Sequence, residues 1–207
     1  MNGESLAGGQ TPDAARFGRI NVNWEALTPA LSRRREREMS ARHHRPLGLV
    51  TAALILLIDQ IAKWIIINPI GLQAKGVIQL LPIFNLAWVE NYGVSMGFLV
   101  VESNAERWLL VSVTAAIAIG VTIWLWREKV RGDVFALGLV LGGALGNILD
   151  RVRFGYVVDF LDLHFGDWHP FLVFNVADAA ITIGVLLLIL RAVLVREKKA
   201  PAEKMNA

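Results

Sequence analysis

Cysteine is absent from this 207-residue chain, which removes disulfides, a thiol nucleophile and thiolate metal sites and leaves the redox compartment undetermined. Missing too are an H-E-x-x-H pair, a G-x-S-x-G elbow and a phosphate-cradling glycine loop, the usual marks of zinc peptidases, serine hydrolases and nucleotide binders. His164 and His169 flank Asp167, but their five-residue separation does not suit zinc, so no metal and no cofactor is expected. His43 and His44 sit in a basic leader and read as solvated, and neither Ser95 nor Ser112 has a histidine in convincing relation to it. Asp162 and Asp167 read as exposed loop charges. No nucleic-acid motif occurs, and the arginines of the leader are better explained by membrane topology than by RNA.

What the chain does have is apolar residues, 55% of the total and bunched rather than spread, with a mean hydropathy of +0.48. That is too apolar for an ordinary soluble domain of this length. Four runs, at about 47–68, 108–126, 134–150 and 174–195, approach the length that crosses about 30 Å of hydrocarbon. The third is short and glycine-rich; Gly138, Gly142 and Gly146 recur on one helix face, which suits an inner helix packed closely by its neighbours. The expected fold class is therefore membrane α-helical with four transmembrane helices.

Basic residues orient the spans. Arg33, Arg34, Arg35, Arg37, Arg42 and Arg45 precede the first, Arg127, Lys129 and Arg131 fill the turn between the second and third, and Arg196, Lys198 and Lys199 follow the fourth. The connections 69–107 and 151–173 hold only Lys75, Arg107, Arg151 and Arg153. Both termini are expected to be cytoplasmic and both long connections external. Residues 76–90 of the first connection are β-branched and aromatic, a small sheet resting on the membrane. The second connection is expected as a loop. Trp88, Trp108, Trp124, Trp126 and Trp168 fall near span boundaries, where indole rings act as interfacial anchors.

Three segments follow: a polar, disordered cytoplasmic leader over 1–46, a membrane domain over 47–195 and a basic tail over 196–207. Met39-Ser40-Ala41-Arg42 resembles an ordinary short basic start, so translation is expected to begin at Met39. The first run is not a cleavable signal, because Asp59, Gln60 and Lys63 interrupt it and no small-residue cleavage site follows.

Polar knots stand at the external ends of the later runs. Asn147 and Asp150 share a helix face at i and i+3, as do Asn175 and Asp178, and Asp159 lies in Val157-Val158-Asp159-Phe160. Ionisable groups at membrane depth are costly and persist mainly where they work or pair. Two carboxylates close together share one proton: the charged member can take a proton from water while the neutral one polarises a carbonyl. Such a pair hydrolyses an amide without a covalent intermediate. Arg151 suits either a phosphate or carbonyl at the interface or simple charge balance for Asp150. A proton-coupled transporter would use similar residues, but both knots lie near one surface, with no matching polar residues at the midplane or beyond. A purely structural bundle leaves the clustered Asn and Asp side chains without a purpose.

Asp59-Gln60 with Lys63, Asn91-x-Gly93, Gly146-Asn147-x-x-Asp150-Arg151, Val157-Val158-Asp159-Phe160 and Phe174-Asn175-x-Ala177-Asp178 occur in this order. The arrangement, over about 47–195, resembles lipoprotein signal peptidase, the bacterial signal peptidase II. The resemblance implies an inner-membrane aspartyl peptidase, with an extracytoplasmic β-cradle, that cuts diacylglyceryl-modified prolipoproteins before the lipidated cysteine. It implies Asp159 and Asp178 as catalytic dyad, Asn147, Asp150, Arg151 and Asn175 lining the site, Asn91 with Gly93 against the substrate backbone, and Asp59 and Lys63 as structural polar residues. It further implies globomycin-like lipopeptide inhibitors, contact with membrane lipid, and a protein expected to be a monomer with no nucleic-acid partner. The family commonly has Phe where this chain has Met96.

Overall fold

The computed structural model describes residues 24–93, 104–166 and 168–203, with side chains described only within 44–194. The chain divides into two units, Met1–Glu36 and Arg37–Ala207; apart from the opening turns of the first helix, the features below belong to the second. Ser95, Met96 and Asp167 lie outside the described residues.

Five helices and three strands occur among the described residues: α1 (Trp24–Ile67), the single turn α2 (Leu72–Lys75), β1 (Val77–Leu81), β2 (Phe84–Asn91), α3 (Asn104–Arg127), α4 (Arg131–Phe154), β3 (Val157–Leu163) and α5 (Val176–Glu203). Helix over 24–46 differs from the irregular leader expected there; Ala, Leu, Glu and Arg dominate that stretch and all favour helix.

Among the described residues, four segments are long and apolar enough to cross a membrane: His44–Ile67, Ala105–Arg127, Arg131–Phe154 and Val176–Leu194. The third begins earlier and ends later than hydropathy indicates. Asn147, Asp150 and Arg151 interrupt the apolar run without interrupting the helix, which continues to Phe154 and stops at Gly155, in the left-handed region at φ 91°.

Helix α4 is the centre of the bundle: 67% of its apolar window is buried, against 28%, 17% and 17% for the other three. Their exposed Leu, Ile, Val and Trp side chains suit a hydrocarbon solvent. Glycines bring the backbones together. A Cβ on Gly138 would meet the Gly48 carbonyl oxygen at 2.6 Å, and one on Gly142 the Ala52 carbonyl at 2.6 Å, both on α1. On another face of α4, a Cβ on Gly143 would collide with the Ala177 carbonyl of α5. Close helix approach of this kind needs residues without side chains.

The sheet is antiparallel, in the order β1-β2-β3. Its third strand comes from the second connection, expected as a loop, so both external connections join in one structure. Val157, Asp159, Leu161 and Leu163 alternate with Val158, Phe160 and Asp162, the two-residue period of a strand. Val158 and Phe160 complete an apolar cluster with Ile66, Leu72 and Leu86. That cluster fixes the register with β2, in which Val89 faces Asp159 and Asn91 faces Val157.

Candidate functional site

The site is assembled where α5 begins. Asn175 precedes the helix, and its Oδ1 accepts the Asp178 N–H at 2.9 Å, while Asp178 Oδ2 accepts the Asn175 N–H at 3.3 Å. This is a reciprocal cap on the first turn. A third donor there, the Ala177 N–H, is satisfied from α1 by Asp59 Oδ1 at 3.0 Å. The Asn175–Asp178 spacing thus turns the carboxylate of Asp178 inward, and the half-buried side chain receives Asn147 Nδ2 from α4 at 2.8 Å.

Asp159 approaches from β3. It is 1% exposed, and each oxygen accepts a carboxamide: Oδ1 from Asn175 Nδ2 at 2.6 Å and Oδ2 from Asn91 Nδ2 at 2.9 Å. Asn175 Nδ2 also reaches Asn147 Oδ1 at 3.3 Å, so Asn175 joins the two carboxylates, through its carboxamide to Asp159 and its backbone N–H to Asp178, and also meets the α4 asparagine that holds Asp178. Burial pushes the Asp159 carboxyl up to about 6; the charge of Asp178 adds to this, while hydrogen bonds from Asn91 and Asn175 and the charge of Lys63 oppose it. Asn91 is aimed by an Asx turn in which its Oδ1 accepts the Gly93 N–H at 2.8 Å. Gly93 stands at φ 83°, where a side chain is strained. Both polar groups of Asn91 are therefore engaged within the protein.

Beneath the pair lies a buried ionic triad. Lys63 Nζ contacts Asp59 Oδ2 at 2.8 Å and Asp150 Oδ2 at 2.6 Å, with all three side chains at most 2% exposed. Gln60 Nε2 donates to Asp150 Oδ1 at 3.0 Å and to Asp59 Oδ2 at 3.2 Å. Asp150 Oδ2 also accepts the Val158 N–H at 3.2 Å, tying α4 to the sheet. Asp150, expected to line the site, is fully buried and committed to these partners. Gln60, which interrupts the first apolar run, proves to be a bridge between them, and it also accepts Arg153 Nη1 at 3.1 Å.

Arg151 does not pair with Asp150. Its Nη1 approaches the Asn147 carbonyl at 3.5 Å, and its buried Nε has no partner among the described residues. A Cβ on Gly93 would lie 3.4 Å from Arg151 Nη2, so the cation stands beside the Asn91–Gly93 turn.

One expectation is overturned. Asp162 is 6% exposed rather than a loop charge, and it accepts from Asn85 Nδ2 at 3.4 Å and contacts His169 Nδ1 at 3.0 Å. It lies on the face of β3 opposite Asp159, and the strand carries it into the protein because β2 supplies its partner edge.

The fold and this cluster define a multi-pass membrane protein with a polar site at one end of its bundle. A family model described as Signal peptidase (SPase) II matches residues 51–194. The lipoprotein signal peptidase of Rhizorhabdus wittichii is 67% identical over 164 residues, covering 79% of this chain and 95% of that protein. That of Sphingopyxis alaskensis is 56% identical over 156 residues, covering 75% and 90%. A bacterial membrane enzyme structure solved by the in meso method at 2.3 Å resolution has 27% identity and a TM-score of 0.62, covering 74% of this chain and 92% of that one. The chain belongs to the signal peptidase II family, and it is a peptidase. Nothing in these relations favours a transporter.

Proposed function

We propose that this protein removes the signal peptide from diacylglyceryl-modified prolipoproteins, cutting before the lipidated cysteine with a water activated by Asp159 and Asp178. The observation that carries the reading is the linkage of the two carboxylates through Asn175, whose carboxamide donates to Asp159 and whose backbone N–H donates to Asp178. Asp159, with its raised value of about 6, holds the shared proton. Asp178 lies in the first turn of α5, where the helix dipole favours negative charge, and it is the base.

In this mechanism Asp178 takes a proton from water as the water oxygen bonds to the scissile carbonyl carbon, and Asp159 gives its proton to the carbonyl oxygen. The resulting diol collapses as Asp178 protonates the departing amine, the C–N bond breaks and Asp159 recovers a proton from the diol. Asn147 and Asn91 hold the two carboxylates, and Arg151 offers its guanidinium to a substrate carbonyl or a lipid phosphate. Asp59, Lys63 and Asp150 position the pair from below. The protonated Asp159 that this mechanism needs is present below its value in the free protein, about 6, and is lost as pH rises through it, which sets the alkaline limb; exclusion of water by bound substrate moves the limb of kcat upward.

The protein acts as a monomer in the bacterial inner membrane, with both termini cytoplasmic and the site at the periplasmic face. Reporter fusions at residue 130 should behave as cytoplasmic and fusions within 69–93 as external. An external signal at 130 overturns the orientation.

The test of function is incubation of the purified protein with a lipidated prolipoprotein and its unlipidated twin. Acyl chains contribute about 0.8 kcal/mol per buried CH₂, enough to fix the modified cysteine at the bilayer surface. Only the lipidated form should be cut. Equal cleavage of both would remove lipid recognition from the account.

A further inference from the structure

Along β2, Trp88 and Glu90 alternate with Val89 and Asn91, so they share the face of the strand turned away from Asp159, and Tyr92 follows the last residue of the strand. Glu90 collects donors on that face. Its Oε2 accepts the Tyr92 hydroxyl at 2.8 Å, and its Oε1 faces Trp88 Nε1 at 3.3 Å and Gln73 Nε2 at 3.4 Å. Tyr156, the residue before β3, packs its ring against that of Tyr92. All these donors are neutral, and Glu90 has no ion-pair partner among the described residues. Charge balance therefore does not explain its place.

Its position in the ladder does. Glu90 faces Val158 and Asn91 faces Val157, and one step further Tyr92 and Tyr156 bring their rings to 5.4 Å. β2 ends at Asn91, so the residue that holds Asp159 occupies the terminal rung, where a ladder frays most readily. We infer that Glu90 is a positioning residue, which staples Tyr92 to Tyr156 across the end of the ladder and so keeps the Asn91 carboxamide on Asp159. This inference rests on the proposed peptidase mechanism.

Loosening the staple withdraws a donor from the Asp159 carboxylate. Such donors favour the charged form, so their loss raises the Asp159 value, and activity that needs protonated Asp159 persists to higher pH. The other charges facing Asp159 are Asp178 from α5, Lys63 from α1 and Arg151 from α4, and none of them touches Glu90. The alkaline limb therefore reports the Asn91 contact, whereas simple loss of folded protein lowers the whole profile without moving it.

The experiment is the pH profile of kcat/KM for a lipidated prolipoprotein. Glu90→Ala should lower the plateau about tenfold and move the alkaline limb upward by about half a pH unit, and Glu90→Gln, which keeps an acceptor for the Tyr92 hydroxyl, should recover most of both. Asn91→Ala should move the limb at least as far, and Glu90→Ala added to it should move it no further. The double variant Tyr92→Phe/Tyr156→Phe, which keeps the rings, should reproduce the shift if Glu90→Ala folds poorly. A limb that moves in Asn91→Ala but stays in place when Glu90 or both tyrosines are changed overturns the inference and leaves the mechanism standing. Additive shifts in the Glu90/Asn91 pair overturn it as well. If the limb is unmoved even by Asn91→Ala, or the wild-type protein leaves the substrate uncut, the mechanism itself fails and this inference with it.

Discussion

Asp159→Asn and Asp178→Asn should each reduce cleavage by at least about a thousandfold, the upper part of what positioned acid and base groups contribute. Precursor accumulation in cells, with immunoblotting to confirm insertion, measures it. The substitution keeps the shape of each side chain and removes the proton that the pair shares in the proposed mechanism. Asp162→Asn is the matched control: this carboxylate lies three residues from Asp159 but on the other face of β3, bonded to His169 and Asn85. It should retain most activity. Substantial turnover in either variant of the pair would mean that the reacting carboxylates lie elsewhere.

The second large effect concerns Lys63, which touches no reacting atom in this account. Lys63→Met leaves Asp59 and Asp150 buried without their cation, and breaking one partner out of a buried ionic group costs about 3–5 kcal/mol. The loss should fall on the whole site, because Asp59 caps the Ala177 N–H at the head of α5 and Asp150 holds the Val158 N–H of β3. The expected result is a much lower thermal midpoint in detergent and little active protein. A variant as stable as the parent would show that the three charges are not coupled as described.

Much of the site is legible in the sequence because its geometry is local. Asn175 and Asp178 are one helical turn apart, so the chain alone places them on one face, and Asn91-x-Gly93 announces a turn that needs a positive φ. The glycines at 138 and 142 likewise announce close helix approach, which the α1 carbonyls explain, each standing 2.6 Å from where a Cβ would be. What escapes is what depends on partners distant in sequence. Lys63 meets Asp150 only after α1 and α4 pack, so pairing Asp150 with Arg151, its neighbour in the chain, is the natural alternative. β3 escapes for the same reason. Its seven residues alternate, but the alternation of buried groups on both faces, Val157 to Phe160 all buried, resembles a loop beside a polar knot until β2 supplies the edge. Asp162 is then carried inside by the strand rather than by any property of its own.

In the proposed mechanism the pair of carboxylates is also the point at which lipid recognition and chemistry meet. A diacylglyceryl anchor holds the scissile bond at the bilayer surface, and Asp159 and Asp178 stand where α4, α5 and the sheet converge. A lipopeptide of the globomycin type that carries a hydroxyl able to sit between the two carboxylates should displace the water and bind tightly. Its affinity for the native protein and for the Asp159→Asn/Asp178→Asn double variant tests the central claim most directly. Loss of two charge-assisted hydrogen bonds should weaken binding by about a hundredfold or more, whereas unchanged affinity would show that the inhibitor does not use the pair and would contradict the coupling of depth, lipid and acid–base chemistry.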